Sequence, residues 1–175
     1  MSGGPMRIIV LVGNPKPRSR TLAVGELLAG RVAELTGGSH DRTVDLCDHA
    51  DRLFRWPDDE LAQLSADVAS AGILIVASPT YKASYTGLLK AFLDRYQAGG
   101  LAGVTAVPLM TMADPAHSLS VDVTLRPLLV ELGASVPTKG MSFLTPAMAD
   151  APALVEAWVK DQEHVLRNLS GTQCN

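Results

Sequence analysis

A doubly wound α/β sandwich on a five-stranded parallel sheet is the fold the sequence predicts, and three observations predict it. Two short runs, residues 8–12 and 72–77, are apolar throughout rather than alternating, as strands covered on both faces are. Helically spaced segments separate the strand candidates, so β and α alternate five times, and right-handed crossovers then leave few topologies other than a parallel sheet with helices on both sides. A length of 175 residues with 47 % hydrophobic and 19 % charged side chains suits one soluble core. Residues 6–169 are therefore read as one domain, with 1–5 and 170–175 as flexible tails.

The elements follow in order. Residues 8–12 form the first strand, which Gly13 stops. Leu22, Val24, Leu27, Leu28, Val32 and Leu35 keep mostly helical spacing, and the glycines of TGGSH, residues 36–40, close that helix. RTVDLCD, residues 42–48, alternates as a short second strand, whereas the polar and aromatic stretch up to Pro57 carries no clear period. Residues 58–70 place Leu61, Leu64 and Val68 on one helical face, and AGILIVASP, residues 71–79, is the expected centre of the sheet. A helix over 85–96, a strand over 104–112, a helix over 116–132, a short strand near Ser135 and a C-terminal helix over 151–169 complete the series.

Composition excludes several classes. A net charge of −3 and a pI near 5.7 offer no basic footprint for nucleic acid. The longest apolar runs, such as GILIVA at residues 72–77, fall far short of the ~20 residues that span a bilayer. The opening residues lack a leader's pattern, so no membrane role and a cytoplasmic location are expected. Cys47 and Cys174 suggest neither a disulfide framework nor a metal cluster, and Cys47 is expected to be a small buried hydrophobe. His40, His49 and His164 are expected to face solvent, and Lys90 with Asp94 to form a surface pair.

In open parallel sheets ligands sit beyond the carboxyl ends of the strands, where residues 13–21, 78–86 and 111–117 converge. The first loop, GNPKPRSRT, offers the Ser19 and Thr21 hydroxyls and a helix N-terminus, which together suit a terminal phosphate. It has neither G-x-x-x-x-G-K-[ST] nor G-x-G-x-x-G, so a nucleoside triphosphate or a dinucleotide pyrophosphate is not expected across it. A monophosphate remains, against the plainer reading of a βα turn whose hydroxyls merely cap the helix. The second loop begins SPTYKASYTGLLKAFLD, residues 78–94. Pro79 stiffens the strand's exit, Tyr81 and Tyr85 bring two rings toward the mouth, and Ser84, Thr86 and Gly87 suit a tight helix start. Rings and exposed amides suit a flat heterocycle; the alternative is that both tyrosines pack at the helix start.

Together, GNPKPRSRT and SPTYKASYTGLLKAFLD resemble the NAD(P)H-dependent FMN reductase family of flavodoxin-like proteins. The resemblance continues through AHSLSVDVTLRPLLVELGA, residues 116–134, which is similar to the helix after the third flavin loop in reductases that feed two-component monooxygenases; residues 41–58 match least. It implies a flavodoxin-like sandwich with strand order 2-1-3-4-5, FMN as cofactor, and NADPH or NADH as hydride donor. By the same resemblance Ser19, Arg20 and Thr21 grip the FMN phosphate, with Asn14 in the same loop and Lys16 and Arg18 as charge partners. Pro79, Thr80, Tyr81 and Lys82 would lie along the isoalloxazine with Ser84 close by. Thr111, Met112, Ala113 and Asp114 would cover its pyrimidine edge. His117, beside them, is expected to cap or to hydrogen-bond a ring edge rather than to transfer a proton. Met112 and Ala113 stand where relatives often show Gly-Gly, so side chains are expected to crowd that edge, and Val123 stands where they often carry tyrosine. No catalytic residue and no metal ligand is assigned, because the flavin accepts the hydride while the protein supplies position and electrostatics.

The expected function is an FMN-dependent reductase that passes electrons to free flavin, a quinone or a similar acceptor, with the flavin either retained or released to a partner monooxygenase. A flavodoxin-like electron carrier is the alternative, against which stands the weak charge of −3, since carriers steer toward partners with strongly acidic surfaces. A receiver-type module would need an acidic cluster where this chain has Gly13 and Asn14. Leu88, Leu89, Phe92 and Leu93 form a broad apolar face, read either as a contact through which a homodimer or homotetramer forms or as intrachain core.

Overall fold

The first strand, β1 (Arg7–Val12), sends Ile8, Val10 and Val12 into the core on one side of the sheet and Ile9 and Leu11 into the core on the other, and all five are fully buried. In the computed structural model, which describes residues 5–171, the chain then alternates helix and strand. Residues 1–4 and 172–175 of the expected tails, Cys174 among them, lie outside the described residues. Helix α1 (Arg20–Thr36) ends at Gly37, whose φ of 71° is the left-handed conformation that glycine adopts without a steric penalty. It is followed by β2 (Ser39–Asp45), α2 (Asp59–Ala69), β3 (Ile73–Pro79), α3 (Gly87–Leu93), β4 (Thr105–Met112), α4 (Arg126–Glu131), β5 (Met141–Leu144), α5 (Ala151–Asp161) and α6 (Glu163–Gly171). The five strands are parallel in the order β2-β1-β3-β4-β5, as expected. Helices α1, α5 and α6 cover one face, around Val24, Leu28, Val155 and Phe143; α2, α3 and α4 cover the other, around Leu61, Phe92 and Leu129.

Several boundaries differ from the sequence reading, each for a local reason. The second strand starts three residues earlier than the expected 42–48 and gives way to a 3-10 turn at Leu46–His49, where Cys47 is half-buried rather than buried. The fifth strand is not at Ser135, which makes one isolated bridge with Thr105; Pro137 brings no N–H to extend that ladder, and pairing with β4 resumes at Met141. The expected helix over 116–132 is a 3-10 turn at Pro115–His117, a π-helical segment at Val121–Leu125 and then α4. Arg126 N–H reaches back five residues to the Val121 carbonyl, and Pro127 has no N–H with which to restore the α-helical register. The C-terminal helix is interrupted at Gln162, whose buried side chain accepts the Lys139 N–H at 2.9 Å and donates to Asp161 at 2.6 Å.

Side-chain placement brings two further corrections. The apolar face of α3 that suggested a subunit contact is intrachain core, with Leu89, Phe92 and Leu93 fully buried and Leu88 half-buried. His40 and His49 are half-buried, the first within 3.1 Å of the Thr43 hydroxyl, whereas His164 faces solvent. Lys90 and Asp94 form the expected exposed pair at 2.6 Å.

Gly13 marks the closest approach between the β1–α1 loop and α3: a Cβ there would stand 2.4 Å from Leu89 Cβ. Gly13→Ala should therefore cost about 1–3 kcal/mol of stability through overpacking, read as a lower urea midpoint. An unchanged midpoint would mean that the loop and α3 separate freely.

Candidate functional site

Strands β1, β3 and β4 end at one edge of the sheet, and a chain of buried hydrogen bonds joins the loops that leave them. The Gly13 N–H donates to Ala77 O at 2.8 Å, and the Thr80 N–H donates to Thr111 O at 2.7 Å. Asn14 Nδ2 donates to Thr21 Oγ1 at 3.1 Å, and Thr21 Oγ1 lies 2.6 Å from Thr111 Oγ1. Asn14 Oδ1 accepts the Lys16 N–H at 3.0 Å, so one amide side chain both shapes the β1–α1 loop and ties it to α1. Above this layer opens a cavity of about 440 Å³. Asn14, Lys16, Arg18, Ser19, Arg20 and Thr21 line it from the first loop, Pro79, Thr80 and Tyr81 from the second, and Thr111, Met112 and Ala113 from the third.

Lys82, Ser84, Asp114 and His117 do not line the cavity. Lys82 and Ala83, with φ of 51° and 62°, make the two-residue turn of a miniature hairpin that Tyr81 and Ser84 close with backbone bonds of 2.8 and 3.1 Å. Asp114 caps the 3-10 turn by accepting the Ala116 N–H at 2.8 Å, and half-buried His117 ends that turn. Pro17 and Thr145 line the cavity without having been singled out. Thr145 comes from the turn after β5, where its hydroxyl donates to Met112 O at 3.2 Å; a correct placement of the fifth strand would have brought residue 145 to the same edge.

At one end of the cavity, Ser19 caps α1, its extended backbone letting Oγ accept the Leu22 N–H at 3.2 Å. The first-turn amides of Arg20 and Thr21 have no helical acceptor, and the helix dipole is positive there. The Thr21 hydroxyl is spent on Asn14 and Thr111 beneath the cavity. Among the described residues no carboxylate pairs with Lys16 or Arg20, whereas the Arg18 guanidinium lies 3.3 Å from Asp48 and the Arg18 backbone N–H donates to Asp45 Oδ2 at 3.1 Å. At the other end the Tyr81 ring is half-exposed, and Thr80 Oγ1 is buried without a partner. Tyr85 packs against the α2–α3 core instead of presenting its ring at the mouth. The side chain of Met112 is buried in that same core, so the expected crowding of this edge does not occur; Ala113 leaves one exposed methyl.

The donor set is thus helix amides, a hydroxyl and two cations with no carboxylate partner among the described residues at one end, with the half-exposed Tyr81 ring at the other. That set fits a phosphomonoester joined to a planar ring, and the volume lies in the range of small-molecule sites. Fold and cavity together define a flavodoxin-like protein with a site of this kind. The sequence model of the family described as NADPH-dependent FMN reductase matches residues 6–148. An FMN reductase (NADPH) of Escherichia coli is 34 % identical over 130 residues, 74 % of this chain and 68 % of that protein. The NADH-dependent FMN reductase SfnF of Pseudomonas putida is 34 % identical over 134 residues, 73 % of this chain and 72 % of that one. The apo crystal structure of an NADH:FMN oxidoreductase superposes with a TM-score of 0.76 at 31 % identity, covering 95 % of this chain and 87 % of that one. The chain belongs to the NADPH-dependent FMN reductase family.

Beside the loop, burial pushes the Cys47 thiol up to about 11, and the neighbouring Asp45 and Asp48 carboxylates add to the shift. A thiol with so high a pKa is almost entirely protonated at pH 8. Site-resolved mass spectrometry should find Cys47 resistant to iodoacetamide at pH 8, with alkylation rising steeply toward pH 11. Rapid labelling at pH 8 would show that the carboxylates and burial do not suppress the thiolate.

Proposed function

We propose that the protein reduces FMN with hydride from NADPH or NADH and passes the electrons to free flavin, a quinone or a similar acceptor. One observation carries the reading: a helix N-terminus with two cations that no carboxylate pairs among the described residues lies across a single cavity from the half-exposed Tyr81 ring, in a chain of the FMN reductase family. When bound, FMN supplies the hydride-accepting chemistry. Arg20, Lys16, Ser19 and the first-turn amides of α1 hold its phosphate through charge-assisted hydrogen bonds. Asn14 and Thr21 brace that loop from below. Pro79, Thr80 and Tyr81 bound one side of the ring and Thr111, Met112 and Ala113 another. Lys82 and Ser84 set the turn that carries Tyr81, and Asp114 and His117 fix the rim beyond Ala113.

Residues 6–169 act as a single FMN-binding unit in the cytoplasm. Among the described residues no helix is long and apolar enough to cross a membrane. Phe54, Trp56, Leu119, Val123 and Val130 are exposed apolar side chains, which supports self-association into a homodimer or homotetramer. A partner monooxygenase is the recipient where reduced flavin leaves the site.

The test is anaerobic mixing of the protein with equimolar FMN and either nicotinamide, following the oxidised flavin band. Bleaching well above the protein-free rate is expected. FMN binding without bleaching by either donor would replace this reading with that of an electron carrier. Arg20→Ala should weaken FMN binding about tenfold or more, the scale of one hydrogen bond to a charged group, while leaving riboflavin, which lacks the phosphate, unchanged in a fluorescence titration. Equal weakening of both would remove Arg20 from the phosphate site.

A further inference from the structure

We infer that Asp45 is a positioning residue for FMN binding: its buried carboxylate holds the β1–α1 loop in the shape that presents donors to the phosphate. The inference rests on the reading of that loop as the phosphate site. Asp45 is the last residue of β2, level with Val12 of β1, and its side chain is 5 % exposed. Its Oδ2 accepts the backbone N–H of Arg18 at 3.1 Å. Arg18 has a φ of 50°, a left-handed conformation that a residue with a Cβ adopts only where its surroundings impose it. The next residue is Ser19, the cap of α1, so the turn at Arg18 decides where the Ser19 hydroxyl and the Arg20 and Thr21 amides point.

Two further observations fit an anchor. The other oxygen, Asp45 Oδ1, is buried without a partner, an unfavourable arrangement for a carboxylate that a merely space-filling side chain would avoid. Asp45 and Asp48 together draw the Arg18 guanidinium to the β2 side, at 3.9 and 3.3 Å, while Lys16 and Arg20 pair with no carboxylate among the described residues. The carboxylate thus sorts the loop's cations: one is tied back to the sheet edge, and two are left for the ligand.

The test compares FMN with riboflavin, because a defect in general folding weakens both and a defect in the phosphate loop weakens FMN alone. Asp45→Ala should raise the FMN Kd about tenfold, the loss expected when a charge-assisted hydrogen bond that shapes the loop is removed, with riboflavin unchanged. Asp45→Asn keeps a carbonyl acceptor for the Arg18 N–H and should recover most of the FMN affinity. An Asp45→Ala protein that binds both flavins normally, or weakens both alike, overturns the inference, and so does an Asparagine variant as impaired as the alanine one. Arg20→Ala, measured alongside, separates the two readings: if it too leaves the FMN-to-riboflavin ratio unchanged, the loop is not the phosphate site and both fall. If Arg20→Ala lowers the ratio and Asp45→Ala does not, the Asp45 inference alone falls. Hydrogen exchange on the unmutated protein gives a readout independent of whether the variants fold. The Arg18 amide should be protected in the absence of FMN, and exchange at the rate of an open loop would overturn the anchor.

Discussion

One residue beyond the end of β1, three chain segments meet on a single side chain. The Thr86 hydroxyl donates to Gly13 O at 2.5 Å, and Thr86 Oγ1 itself accepts the Leu89 N–H at 3.1 Å. Thr86 therefore starts α3 and tethers it to the β1–α1 loop in one stroke. Its own N–H is taken by Ser78 Oγ at 3.1 Å, which fixes the exit of β3 as well. These groups are buried, so each bond is stronger than it would be in water and each missing partner more costly. The cavity walls are consequently set by the core rather than by the ligand.

A second layer carries the same logic to β4. Thr21, in the first turn of α1, borders the end of the cavity proposed for the phosphate, Thr111 belongs to the strand that leads to the end proposed for the ring, and their hydroxyls lie 2.6 Å apart, with Asn14 completing the chain. In the proposed binding mode both ends of the ligand meet groups held in one frame. A frame ordered in advance loses little conformational freedom when the ligand arrives, which leaves more of the contact energy for affinity and orientation.

How much of this was legible in the sequence differs from element to element. Residues 8–12 and 72–77 announced themselves because strands buried on both faces need apolar side chains at every position, and the loops following them held most of the cavity-lining residues. Short edge elements were harder. In β2, burial alternates weakly along the sheet margin, so nothing in 39–45 outweighed the period of 42–48. The fifth strand has four residues, and Ser135, lying in a similar setting, makes a real but isolated bridge. Tyr85 and the apolar face of α3 belong to the core, a distinction that rests on which way a helix is turned and that composition alone does not encode. Asp45 was invisible for a different reason: the role proposed for it depends on the backbone angle of a residue 27 positions away.

The hairpin turn under Tyr81 uses Lys82 and Ala83 where such turns favour asparagine and glycine. Both residues carry a Cβ in the left-handed region, a conformation that costs each roughly 1 kcal/mol. The same Cβ atoms narrow the range of shapes open to this segment before the protein folds, so less disorder is lost when the turn forms than an Asn-Gly pair would lose. The turn is therefore held by its two closing backbone bonds against its own local preference. In the proposed binding mode, those two bonds between Tyr81 and Ser84 hold the wall at one angle to the ring, and so set the directions from which a second planar molecule can approach.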